Sequence, residues 1–438
     1  MEIEIPGKVL YALRALKLAG YEAYLVGGCV RDTILGRTVN DWDITTSADP
    51  EAMKRVFAGR KLIETGIRHG TLTLLNGGVA MEMTVFRQGT TLEEDLAHRD
   101  LTVNAMACTA EGELKDPFGG EKDTGNGILR CVGRAEDRFA EDPLRILRAL
   151  RFASTLDMRI DPDTARAAFD MRDTLNRAAP ERIRAELEKL LCGPAAGRVL
   201  KEYPEIIGAV LPEMLACVGF EQRNPYHDSD VWGHTVRAVE AVPPEPVLRW
   251  TMLLHDIGKP DTFTQDECGK GHFYEHAGAG ERKATEIMAR LRFDNRSRDE
   301  VLFLIHYHGL EIPLTEVSVK RAVRKYGIDR LRRLLPVFAA DIEAQAPAYR
   351  GRLEEIRVLG EMAEEAAKTC PTLRDLAVNG HDLTELGYER EAVGRVLQAL
   401  LDAVAENRCG NSKEELENYI AARRAAGRSP YVLPEAEP

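Results

Sequence analysis

The sequence predicts an α/β unit at the N-terminus followed by a mostly α-helical remainder. Residues 1–133 mix helical and strand patterns and are heavily punctuated by glycine. Beyond residue 134 the strand patterns fade and apolar residues recur at helical spacing. Pro204 and Pro212 interrupt that spacing without restoring strands.

Element by element, Val9–Leu18 reads as a helix and Glu22–Val26 as a short strand ending in Gly27-Gly28. Trp42–Thr46 and Thr71–Leu75 read as strands. So does Met81–Phe86, where Met81, Met83 and Val85 alternate with Glu82 and Thr84. Glu136–Phe152, Asp163–Leu175 and Pro180–Leu191 show helical periodicity. Residues 228–345 carry further helices and most of the histidines, and 346–425 is helical again. The Pro- and Glu-rich tail after Arg428 is expected to fray. No fixed-period repeat is visible.

A length of 438 residues corresponds to about three domains. With 44% hydrophobic and 30% charged residues the chain is neither disordered nor collagen-like. The net charge of −12 excludes a globally basic nucleic-acid binder, so a polyanion must meet a local basic patch or a bound metal. Apolar runs such as Val301–Ile305 fall far short of the ~18 residues a membrane span needs, and no membrane partner is expected. The acidic N-terminus lacks a signal-peptide charge pattern. Cysteines at 29, 108, 131, 192, 217, 268, 370 and 409 form no CxxC pair. That usage fits a reducing cytoplasm and argues against a structural zinc site.

A first constellation is Leu25-Val-Gly-Gly-Cys-Val-Arg-Asp32, followed by Asn40-Asp-Trp-Asp43. Paired glycines after a strand let backbone N–H groups approach phosphate oxygens. Arg31 can face the same place from the first helical turn. Asp41 and Asp43 flank Trp42, and residues i and i+2 of a strand share a face. Two carboxylates there make a magnesium clamp, the arrangement used to activate an attacking oxygen and stabilise a leaving one. A surface D-x-D beside an ordinary turn is the competing reading, less economical for the combination than for either piece. Glu82, opposite in sense to Met81 and Met83, is a candidate third carboxylate or a solvated strand residue.

A second constellation is His98-Arg-Asp-Leu-Thr-Val-Asn104 with Glu141-Asp-Pro-Leu-Arg145. Pro143 suits a first helical turn. Arg145, Arg148 and Arg151 recur every three residues, while Leu144, Ile146, Leu147, Leu150 and Phe152 can pack inward. Taken alone this is an amphipathic helix with a solvated stripe. Beside a metal–phosphate site the arginines gain triphosphate or nucleic-acid backbone as partners. Cytosine and adenine both present an exocyclic amine donor next to a ring-nitrogen acceptor. An Asp142 acceptor beside an Arg145 donor therefore fits C and A and rejects U and G.

Gly27-Gly28-x-x-Arg31-Asp32, Asp41-x-Asp43, Arg99-Asp100-x-x-x-Asn104, Asp116-Pro-Phe-Gly-Gly120, Glu141-Asp-x-x-Arg145 and Glu181-Arg-Ile-Arg-x-Glu186 resemble the ordered motifs of class II tRNA nucleotidyltransferases. These are the bacterial CCA-adding enzymes and their poly(A) polymerase relatives. Leu376-Ala-Val-Asn-Gly-His-Asp-Leu383 resembles their C-terminal region. The resemblance implies an α/β nucleotidyltransferase head of polymerase-β-like palm type, then a mostly helical neck, body and tail. The expected division is head 1–133, neck 134–215, HD domain 216–345 and tRNA-binding tail 346–438. It implies catalytic Asp41 and Asp43 with Mg2+ on both, and the strand pattern offers Glu82 as the candidate third catalytic carboxylate. It also implies nucleotide binding by Gly27, Gly28, Arg31, Asp32, Arg99, Asn104, Asp142, Arg145, Arg148 and Arg151. The expected partners are tRNA and CTP, with ATP left open. Only Gln88-Gly89-Thr90 separates Arg87 from Thr91-Leu-Glu-Glu-Asp-Leu96, where the family usually has a longer stretch associated with the switch from C to A. The shortening resembles the branch that adds CC alone.

A third constellation gathers seven of the ten histidines between residues 227 and 308. His234, Leu253-Leu-His-Asp-Ile-Gly-Lys-Pro260 and Ala340-Asp-Ile-Glu-Ala-Gln345 resemble the HD phosphohydrolase superfamily. That resemblance implies His234, His255, Asp256 and Asp341 as metal ligands. Imidazole with carboxylate suits a divalent transition metal. His276 and either His306 or His308 are candidates to extend the site, and a metal-free scaffold is the competing reading. Finally, Lys320-Arg321, Arg324-Lys325, Arg330 and Arg332-Arg333 form a basic patch, with Arg321, Arg324 and Arg333 expected to dock an RNA backbone.

Overall fold

The computed structural model describes residues 4–64, 66, 70–87, 91–369, 373–406 and 408–425. It contains two compact units: residues 1–218 with 244–249 and 286–294, and residues 219–243 with 250–285 and 295–438.

The first unit begins with a seven-stranded sheet. Its strands are β1 (Ala23–Val26), β2 (Trp42–Thr46), β3 (Lys61–Ile63), β4 (Thr71–Asn76), β5 (Val79–Val85), β6 (Ala107–Cys108) and β7 (Leu114–Lys115). Their spatial order is β3-β4-β5-β2-β1-β6-β7, and only the β2–β5 pair is parallel. Helices α1 (Gly7–Leu18), α2 (Gly28–Ile34) and α3 (Pro50–Val56) are inserted between the early strands.

The two-residue period of the strands divides the sheet into two faces. Trp42, Ile44, Leu72, Leu74, Met81 and Met83 enter one core with Val9, Ala12, Leu13 and Leu16 of α1 and with Ala52 and Met53 of α3. The α1 residues recur at three- and four-residue spacing and are fully buried. Each buried Leu of this kind stabilises the head by about 1.5–3 kcal/mol. On the opposite face the register pairs Asp43 with Glu82 and Glu82 with Thr73. These three residues form one polar row across β2, β5 and β4.

Six more helices complete the part of this unit that surrounds the polar row: α4 (Leu92–Ala97), α5 (Gly120–Asn126), α6 (Ala135–Glu141), α7 (Leu144–Leu156), α8 (Pro162–Asp170) and α9 (Pro180–Leu191). The single helix expected over Glu136–Phe152 is two, α6 and α7. Pro143 cannot continue α6 and forces the preceding residue out of helical geometry, so Asp142 is extended at φ −146° and ψ 103°. Its Oδ1 then accepts the N–H of Leu144, the first residue of α7, at 3.1 Å. The helix expected over Asp163–Leu175 likewise ends early, and a 3₁₀ segment Arg172–Arg177 follows.

The second unit is almost wholly helical, with helices Val231–Ala241, Glu316–Tyr326, Ile328–Ala344, Leu353–Thr369, Arg390–Ala405 and Lys413–Ala425 among its elements. The basic patch expected to dock RNA belongs here, and its charges are largely neutralised from within. Lys320 pairs with Glu316, Arg321 with Glu406 and Arg324 with Asp402. Arg332 pairs with Glu364, and Arg333 with Glu300. Lys325 and Arg330 lie over the Tyr326 and Phe303 rings. Most of these carboxylates come from helices remote in sequence, so the patch works chiefly as a clasp between helices. Among the described residues no helix is long and apolar enough to cross a membrane.

Candidate functional site

The polar face of the head sheet opens into a cavity of about 740 Å3. Asp41, Asp43 and Glu82 line it together, with Gly27, Gly28, Arg31, Arg99, Asn104, Asp142, Arg145, Arg148 and Arg151. Trp42 between the two aspartates is buried on the core side, so both carboxylates lie on one side of the strand. Burial, then Glu82 and Asp41, push the Asp43 carboxyl up to about 6 against the opposing pull of Arg99. Three acids concentrated on one face suit a divalent cation, which would relieve that repulsion.

The β1–α2 turn brings backbone to the same place. Gly27 has φ +76°, and a Cβ there would lie 3.2 Å from Arg99 Nη1. Only glycine satisfies both demands. Asp32 is not among the lining residues. Its carboxylate accepts Nε and Nη2 of Arg31 at 2.9 and 3.0 Å and holds that guanidinium in place.

Every arginine of the predicted set has a carboxylate behind it. Arg31 Nη1 also donates to Asn104 Oδ1 at 2.6 Å, and Asn104 Nδ2 donates to Asp100 Oδ1 at 3.2 Å. Asp100 Oδ2 in turn accepts Arg148 Nε at 2.8 Å. Arg99 is held by the buried Asp95 at 3.0 Å, and Arg151 by Glu186 at 2.5 Å. Arg145 donates to Glu141 at 2.7 Å and to the carbonyls of Arg138 and His98. Burial raises the Asp100 carboxyl, but Arg148, Asn104 and the Leu101 N–H together hold it below the usual carboxylate range. A fixed guanidinium loses less rotamer freedom when an anion arrives.

Sequence reasoning missed several lining residues. Arg87, Arg182 and Lys189 add positive charge to the cavity. Arg182 donates to Asp142 Oδ2 at 2.8 Å. Phe152, expected in the core, is buried but also lines the cavity, with Arg31, Arg148 and Arg151 over its ring at 5.1, 5.6 and 3.7 Å. The Glu181–Glu186 motif held the signal for Arg182 and Glu186. Asp95 on α4 stands four residues before Arg99, which lies just past the helix end, the spacing of an ion pair.

The second unit contains the histidine–aspartate cluster. His234 Nε2 lies 2.9 Å from Asp341 Oδ1 and 3.4 Å from Asp256 Oδ2. His255 Nε2 lies 3.2 Å from Asp256 Oδ2 and 3.6 Å from Asp341 Oδ1. His234, His255 and Asp256 are buried, and the four ligand atoms are close enough to hold one metal ion. Burial alone would push the His255 imidazole down, but Asp256 and Asp341 hold it up at about 10. Burial would raise the two aspartates, yet His255, Lys259 and His234 keep Asp256, and His234 and His255 keep Asp341, well below the usual range. The cluster therefore calls for positive charge at its centre, which a divalent cation would supply. Lys259, also missed, is buried with Nζ 2.7 Å from Asp256 Oδ2 and 2.8 Å from Gln222 Oε1.

Residues 23–130 match the poly(A) polymerase head domain, 157–207 the probable RNA- and SrmB-binding site of polymerase A, and 232–345 the HD domain. Against the CCA-adding enzyme of Leuconostoc mesenteroides the chain is 45% identical over 204 residues, spanning 50% of that relative's length. Against the CCA-adding enzyme of Lactobacillus delbrueckii it is 41% identical over 440 residues, covering 95% of this chain and 98% of the relative. The chain belongs to the CCA-adding enzymes, which are tRNA nucleotidyltransferases. The crystal structure of Bacillus stearothermophilus CCA-adding enzyme in complex with CTP superposes with a TM-score of 0.71 at 30% identity, covering 96% of this chain and 98% of that one. The family's α/β head followed by a helical, HD-containing body is the architecture described above.

Proposed function

We propose that this chain completes the 3′ end of tRNA by adding C, C and A in turn from CTP and ATP without a nucleic-acid template. One observation carries the reading. A single cavity holds the Asp41–Asp43 pair, the Gly27-Gly28 turn with Arg31 and Arg99, and the Asp142–Arg145 pair. Asp41 and Asp43, with Glu82 beside them, would hold magnesium, which supplies charge stabilisation for a reacting phosphate. Gly28, Arg31 and Arg99 bind the triphosphate and ribose, with Gly27 and Asn104 shaping and holding that seat and Asp32 fixing Arg31. Asp142 accepts from the exocyclic amine of C or A, and Arg145 donates to the adjacent ring nitrogen. Arg148 and Arg151 steady the nucleotide or primer. The primer 3′-hydroxyl attacks the α-phosphate and pyrophosphate leaves. We assign residues 1–133 as head, 134–215 as neck, 216–345 as HD domain and 346–438 as tRNA-binding tail. Among the described cysteines, Cys29, Cys108, Cys131 and Cys217 are buried thiols, which supports a reducing, cytoplasmic setting.

Two narrower readings rest on particular observations. The short Gln88-Gly89-Thr90 stretch favours CC addition alone, with a partner supplying the A; it lies outside the described residues. The His234, His255, Asp256 and Asp341 cluster favours a second, metal-dependent phosphohydrolase activity on a cyclic phosphate or phosphomonoester at an RNA end. Incubating the protein with tRNA lacking its 3′ end and labelled CTP and ATP, then counting added residues, separates the outcomes. CCA and stop supports the proposal, CC and stop the shorter branch, and unlimited A on any RNA a poly(A) polymerase.

A further inference from the structure

Eight basic side chains line the head cavity. Six are held by carboxylates: Arg31 by Asp32, Arg99 by Asp95, Arg145 by Glu141, Arg148 by Asp100, Arg151 by Glu186 and Arg182 by Asp142. Among the described residues the Arg87 guanidinium has neither an ion pair nor a hydrogen bond, and nor has the Lys189 ammonium. Both side chains are open to solvent, so what sets Arg87 apart is its neighbours.

Arg87 follows β5 by two residues, and its backbone is fixed while its head group is left over. The buried Asp95 accepts the Arg87 backbone N–H through Oδ1 at 2.9 Å and the Arg99 guanidinium through Oδ2 at 3.0 and 3.3 Å. One carboxylate therefore sets Arg87 beside Arg99. Desolvation, then the like charge of Arg99, lower the Arg87 pKa, with Asp95 and Asp100 opposing. Neither acid is available as a partner. Both Asp95 oxygens are engaged, Asp100 Oδ1 accepts from the Leu101 N–H and Asn104, and Asp100 Oδ2 accepts from Arg148. Against the burial and the Glu82 charge that raise the Asp43 carboxyl, Arg99 and Arg87 pull it down. Arg87 thus stands between an arginine of like charge and a carboxylate suited to magnesium. A partly desolvated cation in that position calls for an anion of its own.

We propose that Arg87 binds the β- and γ-phosphates of the incoming nucleotide, the part that departs as pyrophosphate. This rests on the nucleotidyltransferase reading of the cavity, in which Arg99 takes the triphosphate and Asp43 the magnesium, and it names a further residue for one end of that ligand. The base end has its own readers in Asp142 and Arg145. The terminal phosphates carry most of the nucleotide's charge, and a guanidinium fork matches two phosphate oxygens at once.

The test is calorimetric titration of the full chain with CTP, CMP and pyrophosphate, each with Mg2+ and without tRNA, so that nothing turns over. R87A should weaken CTP and pyrophosphate about ten- to a hundredfold, the loss of a charge-assisted hydrogen bond, and leave CMP within about twofold. R87K keeps the charge without the fork and should recover part of the loss. The substituted side chain is open to solvent and its bonded backbone N–H remains, so R87A should fold, with circular dichroism like the parent's. Equal weakening of CMP and pyrophosphate, or unaltered pyrophosphate affinity, overturns the assignment. Weaker tRNA binding by R87A with pyrophosphate unaffected also overturns it and places Arg87 on an RNA phosphate. A parent that binds pyrophosphate but transfers no CMP to trimmed tRNA overturns the nucleotidyltransferase reading alone, and a parent that binds no pyrophosphate overturns both.

Discussion

Asp43 and Glu82 are register partners on the parallel strands β2 and β5, so two carboxylates share one row of the sheet and one cavity. The core built on Trp42, Ile44, Met81 and Met83 does not require this, because those residues lie on the other face. The arrangement is costly without a cation and useful with one. E82Q is therefore expected to raise the Mg2+ concentration needed for half-maximal nucleotide addition by about ten- to hundredfold, the usual range for a residue supporting a metal ligand. A Mg2+ titration of the addition rate checks this. A requirement equal to that of the parent would remove Glu82 from the metal site.

Arg145 reaches three acceptors, and Glu141 is the charged one. E141A should leave the guanidinium present but less fixed. Discrimination of C and A against U and G should fall about tenfold, the equivalent of ~1.4 kcal/mol, with little change in stability. Exchanging donor and acceptor in D142R/R145D should move preference toward U or G. Competition assays with all four nucleotides read both effects, and unchanged selectivity in the exchange variant contradicts the protein-template account.

Asp100 ties Arg148 to Asn104 and through it to Arg31. Its folded carboxyl sits below its unfolded value, so the stabilisation is fully present above the unfolded value of about 4 and is lost as pH falls through the lower folded one. D100N should cost about 2 kcal/mol at neutral pH, less than a fully buried pair because Arg148 is a third exposed. Denaturant melts at several pH values should show the parent converging on D100N in acid. A constant gap would mean that the charge contributes nothing.

The two chemistries should separate by mutation. D256N is expected to abolish metal-dependent phosphate-ester hydrolysis while leaving CTP addition within about twofold. D43N should do the reverse. Parallel assays of both variants suffice, and loss of hydrolysis in D43N would place both reactions in the head.

Local patterns were readable where a short period governs. The two-residue period put Asp41 and Asp43 on one face, and three-residue spacing put Arg145, Arg148 and Arg151 around one cavity. Partnerships across long sequence distances left no such trace. Glu186 behind Arg151, and Glu406 and Glu364 neutralising Arg321 and Arg332, are products of tertiary packing. Phe152 read as core because its burial and its role beneath three guanidiniums call for the same residue type. His308 faces Asp256 while His306 is turned to the Glu281 carboxylate, a detail no spacing encodes. Strands β6 and β7, two residues each, are too short to display a period.

The most direct test is extension of tRNA trimmed of its 3′ end by the parent protein and by D41N/D43N, each supplied with labelled CTP and ATP. The account predicts that the parent adds C, C and A and stops, while the folded double variant adds nothing detectable. Extension that survives loss of both carboxylates would contradict it.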